Sequence, residues 1–63
     1  MAKPKMAIYA RHVLAKAYAN MGFVYLKQYK YMQAREVWEQ SLAIDPDQDQ
    51  IKAQLDELKK IGY

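Results

Sequence analysis

The sequence predicts an all-α fold: an antiparallel helical hairpin with an extended first helix, closed by a third helix. Three observations carry that prediction. Gly and Pro are confined to Pro4, Gly22, Pro46 and Gly62, and only Gly22 falls inside a periodic segment. Apolar residues recur at steps of three and four, the spacing that lines one face of a helix. The strong break, Asp45-Pro46-Asp47, sits where one helix must stop and another can begin.

Composition narrows the functional classes. The 63 residues allow one small domain, residues 1–63, and a chain this short has a marginal core of its own. It has no Cys and one His, which removes disulfide staples, thiolate metal sites and a Cys nucleophile. No metal, cofactor or catalytic constellation is expected, and Asp47 and Asp49 beside Pro46 read as helix caps rather than paired catalytic carboxylates. The lack of Cys is compatible with any compartment. The apolar residues after Lys5 are broken by Arg11 and Lys16, so there is no secretory pattern and a cytoplasmic placement is expected. No run approaches the roughly 20 apolar residues of a membrane span.

The net charge of +3 hides an asymmetry. Residues 1–35 carry seven Lys or Arg and no acid, while residues 36–63 carry seven acids against three Lys. A basic amphipathic start fits nucleic acid, a membrane surface or an organelle transit peptide. It fits equally a polarised protein whose two ends meet in an assembly, and that second reading is the one taken.

The first helix is expected over residues 5–28, with Pro4 at its first turn, where a missing N–H costs nothing, and residues 1–3 as a frayed tail. At about 100° per residue, Lys5, His12, Lys16, Asn20, Phe23 and Lys27 share one face. Ala7, Ala10, Leu14, Tyr18, Met21 and Tyr25 share the opposite face, flanked by Ile8, Ala15 and Leu26. An apolar face this wide belongs to a helix with neighbours on more than one side. Arg11 is the odd residue there, and either snorkels along a neighbour or pairs with an acid. His12 reads as a surface residue. A turn is expected over residues 27–30.

The second helix, residues 31–44, is cleanly amphipathic, with Tyr31, Ala34, Val37, Trp38, Ser41 and Leu42 on its buried stripe. Gln33, Glu36 and Gln40 face water. Asp45 is placed to cap the next helix, with Pro46 at its first position and Gln48 completing a capping-box spacing. The third helix, about residues 47–61, buries Ile51, Leu55 and Leu58, with Ile61 at the edge and Gly62 as its stop. Lys52, Asp56, Lys59 and Lys60 face water.

The order of these residues resembles the tetratricopeptide repeat (TPR): an aromatic, two residues, Leu-Gly, two residues, Tyr, then Ala-x-x-x-Phe and a closing Pro. Tyr18, Met21-Gly22, Tyr25, Ala34, Trp38 and Pro46 stand at those places, with Ser41 as a further small residue. The match covers one repeat, a little over half the chain. It departs at Tyr29, where the family favours Gly, so the turn geometry is unsettled and a straight coiled-coil rod remains a rival. The physical sense of the motif is size complementarity. Gly22 and Ala34 are small and Tyr18, Tyr25 and Trp38 are large, which lets two helices approach closely.

The resemblance implies an α-α superhelix class fold in which the third helix caps the repeat, and a module that binds other proteins. Its peptide-binding positions fall on Lys16, Asn20, Phe23 and Lys27, with Ala19 and Leu26 beside them. Lys16 and Asn20 look like part of a clamp for a peptide carboxylate, so the partner would be a protein or peptide, acidic at the point of contact. The plainer alternative leaves Lys16, Asn20 and Lys27 merely solvated. One repeat plus a cap buries too little to complete a core, since about three stacked repeats are normally needed. Met6, Ile8, Tyr9, Ala10, Val13 and Leu14 precede the repeat uncovered, which points to a homodimer. The runner-up is a basic nucleic-acid binder using Lys3, Lys5, Lys16, Lys27 and Lys30. It is set below the interaction module, because Tyr18, Tyr25 and Tyr31 read as packing residues rather than base-stacking ones.

Overall fold

The computed structural model describes the backbone of residues 4–63 and the side chains of residues 9–63. Three helices follow one another: α1 (Pro4–Lys27), α2 (Tyr31–Ile44) and α3 (Asp49–Lys60). No strand occurs among the described residues. The expected tail of residues 1–3 lies outside them.

The hairpin is held by a small-residue strip on α1 against a stripe on α2 centred on Trp38. Ala15, Ala19 and Gly22 are buried on α1, and Ala34, Trp38 and Ser41 on α2. Trp38 is fully buried and its indole lies against Gly22, where an added Cβ would land among ring atoms Nε1, Cε2 and Cδ1. That contact explains a Gly in mid-helix, which otherwise costs about 1 kcal/mol relative to Ala. The indole N–H donates to the Ala19 carbonyl at 3.0 Å, so burying Trp38 leaves no orphan donor. One turn on, the buried Ser41 hydroxyl donates to the Ala15 carbonyl at 2.6 Å. Phe23 meets the Trp38 ring edge-on, with centroids 5.1 Å apart. The pairing of Ala15 with Ser41 and of Gly22 with Trp38 runs antiparallel, and the straight rod is excluded.

The apolar stripe of α1 needs correction. Periodicity puts the centre of its apolar face at Ala10, Leu14, Tyr18 and Met21, yet the residues that meet α2 are Ala15, Ala19 and Gly22, with Leu26 packed beside them. Leu14 and Met21 are exposed. Hydrophobicity ranks α1 faces by bulk, whereas α2 packs where the backbone is most approachable.

The first turn closes as a Schellman cap. The Lys30 N–H reaches the Tyr25 carbonyl at 2.9 Å and the Tyr29 N–H reaches Leu26 at 3.0 Å. Tyr29 takes the left-handed position, φ 61°, that the TPR pattern gives to Gly. The same cap ends α3, where Tyr63 donates to Leu58 at 2.9 Å and Gly62 (φ 103°) occupies the left-handed position. The hairpin turn is therefore ordinary in hydrogen bonding and unusual only in its residue.

The junction between α2 and α3 also differs from expectation. α3 starts at Asp49 rather than Asp47, and residues 45–48 form a non-helical linker. Asp45 does not cap α3; its Oδ1 accepts from the Asp47 N–H at 3.2 Å. Gln48 points backward instead of closing a capping box. Its Nε2 donates to the Asp45 carbonyl at 2.7 Å, to Ser41 Oγ at 2.9 Å and to the Ser41 carbonyl at 3.1 Å. That nitrogen can only donate and is taken up by the buried Ser41 and the Asp45 carbonyl, while the Asp45 N–H that a capping box would engage donates to the Ser41 carbonyl at 2.9 Å. α3 then lays Ile51 and Leu58 into the core with Leu55 half-buried, while Ile61 is exposed. Lys52, Asp56, Lys59 and Lys60 are exposed, as expected.

Candidate functional site

α1 and the start of α3 enclose an open groove of about 300 Å³. Its α1 wall carries His12, Lys16, Asn20 and Phe23, with Ala19 at the floor. Steps of three and four residues bring these side chains to one face. Three of the four expected peptide-binding residues therefore share one groove. Lys27, the last residue of α1, is exposed and does not line it.

Phe23 has two contacts at once. It is half-buried against Trp38 and also borders the groove. An aromatic held this way offers a ligand apolar area without a large ordering cost, since its rotamer is set by packing.

The opposite wall was not anticipated. It is formed by the 45–48 linker and the first turn of α3, and carries Asp45, Asp47 and Asp49 with Gln48 and Ile51. The Gln48 bonds tie this linker to the end of α2. Lys16 and Asn20 thus face carboxylates across the groove, which gives it two signs of charge. A partial signal was present in the sequence, three Asp at alternating positions. The sequence did not reveal that the segment turns toward α1.

At the end of the groove the same junction is clipped to α1. Arg11 Nη2 donates to the Ile44 carbonyl at 3.2 Å, and His12 Nδ1 lies 3.5 Å from Asp45 Oδ2. Arg11 neither snorkels nor pairs with an acid; it satisfies a carbonyl at the C-terminus of α2, where positive charge is favoured. His12 is exposed, as a surface residue should be.

Of the residues expected at a dimer contact, the side chains of Met6 and Ile8 lie outside the described residues. Tyr9, Ala10, Val13 and Leu14 are all exposed. Among the described residues no helix is long and apolar enough to cross a membrane, and no group of three or more His, Cys, Asp or Glu is placed to hold a metal ion. No protein-family model, curated protein or solved structure matches the chain.

Proposed function

We propose that this chain is a TPR-like protein-interaction module that binds a peptide or helical segment along α1 and self-associates through helix packing. The observation that carries it is the groove in which Lys16, Asn20 and Phe23 share one wall. An ammonium and a side-chain amide one turn apart can together hold a carboxylate. Asp45, Asp47 and Asp49 stand opposite them, so a uniformly acidic ligand would meet repulsion. The segment that fits carries both signs, a carboxylate toward Lys16 and Asn20 and a cationic side chain toward the aspartates.

Selection from a displayed peptide library tests this reading. Peptides bearing both signs should be enriched, and Lys16→Ala with Asn20→Ala should abolish their binding while leaving the helical circular dichroism unchanged. Lys27→Ala should change it little. Peptides whose binding survives the double substitution would move the site elsewhere. The basic first half of the chain keeps nucleic acid as the competing reading, and retention on duplex DNA across salt separates the two. Strong retention with a steep salt-dependent loss is the mark of phosphate contacts, and the module reading expects none at low salt.

A further inference from the structure

The back of α1, turned away from α2, carries an apolar stripe that no described residue covers. Leu14, Met21 and Val24 are 49%, 42% and 55% exposed, whereas Ala15 and Ala19 on the α2 side are 1% and 6% exposed. The stripe runs through Ala10, Leu14, Ala17, Met21 and Val24, alternating steps of four and three. Those are the a and d positions of a heptad, the spacing that lets one helix pack along another.

We infer that two copies of this chain pair through this stripe, their first helices lying antiparallel. In that arrangement Ala17 packs against Met21 of the second copy and Leu14 against its Val24. The inference rests on the self-association within the proposed function, and specifies its face and direction.

Two observations choose this occupant. The first is where apolar surface remains. α3 already covers one side of the hairpin with Ile51 and Leu58, and its outer face presents Lys52, Asp56, Lys59 and Lys60. A head-to-tail contact would set the stripe against those charges. Stripe on stripe buries apolar surface on both copies, and a self-complementary contact of this kind closes as a two-fold dimer.

The second is size: in the antiparallel pair Ala17 meets Met21, small against large, whereas a parallel pair would set Met21 against Met21 and Ala17 against Ala17.

Engineered cysteines test direction as well as association, because the chain has no Cys of its own. Ala17→Cys and Met21→Cys chains are made separately, checked for helical content, mixed and oxidised, with sedimentation equilibrium run on the unmodified chain. The expected product is a mixed disulfide joining the two variants, several-fold above either self-linked species. Predominant linkage between two Met21→Cys chains, or between two Ala17→Cys chains, would overturn the antiparallel arrangement while leaving self-association intact. A dimer that yields neither kind of link would overturn the stripe as its contact. An unmodified chain that sediments as a monomer would overturn self-association itself and leave the stripe to a helix of another protein. The groove reading stands or falls separately, on the peptide selection.

Discussion

Trp38 and the residues it touches decide whether the hairpin forms. Its ring needs a backbone without a side chain opposite, and Gly22 provides one. Gly22→Ala would ordinarily strengthen a helix by about 1 kcal/mol. Here the added methyl must displace the indole, so the net change should be a loss of about 1–3 kcal/mol, with Gly22→Leu at least as severe. Urea denaturation measures it, and a gain in stability would remove the Gly22–Trp38 contact from the fold. Ser41 makes a second, less visible contribution. Its hydroxyl donates to Ala15 and accepts from Gln48, both buried or half-buried bonds. Ser41→Ala should cost about 1–2 kcal/mol by the same measurement. The Gly22–Trp38 pairing could be read from the sequence, because small-against-large is a property of side-chain size. The Ser41 bonds could not, since a Ser on an apolar stripe reads only as small.

At the scale of elements, helix boundaries were legible where backbone chemistry sets them and illegible where side chains compete for the same partner. α1 and α2 lie within a residue of their expected limits, because Pro4 and the Asp45-Pro46 break act on the chain directly. The start of α3 was misplaced. Gln48 has the right spacing for a capping box, but its amide nitrogen is bonded to the Ser41 and Asp45 carbonyls and the Asp45 N–H is already spent on Ser41. Those bonds tie the 45–48 linker to the end of α2, beside the acidic wall of the groove. Gln48→Ala should loosen the wall, raise hydrogen exchange at the first amides of α3, and leave α1 protected. The hairpin turn yields the opposite kind of prediction. Tyr29 holds φ 61° with its side chain 79% exposed, and an edge contact to Tyr31 at 6.4 Å is its main side-chain interaction. A non-Gly residue there costs about 1 kcal/mol or more. Tyr29→Gly should therefore raise the melting temperature by several degrees, and a fall would mean that the tyrosine contact outweighs the backbone strain.

For the whole molecule, the question is which surfaces of α1 are left for partners. The Cα atoms extend 46 × 18 × 14 Å, with a radius of gyration of 12.9 Å. A compact chain of this length would have about 11 Å. The elongation comes from α1, 24 residues against 14 in α2, whose first turns run on past the end of the hairpin. The sequence revealed a helix with more apolar surface than one neighbour could cover. Periodicity alone did not rank its apolar faces by how closely a backbone can approach; the small-against-large motif did, by setting Gly22 toward Trp38. The small residues settled that question, and left Leu14, Ala17, Met21 and Val24 facing outward. The most direct test of the claim that this face is closed by a second copy is the melting temperature as a function of concentration. From about 10 µM to about 1 mM, the unmodified chain should melt several degrees higher at the top of the range, as mass action requires of a dimer. Leu14→Glu should melt lower and without concentration dependence. A cooperative transition that is independent of concentration in the unmodified chain, and is left in place by Leu14→Glu, would contradict it.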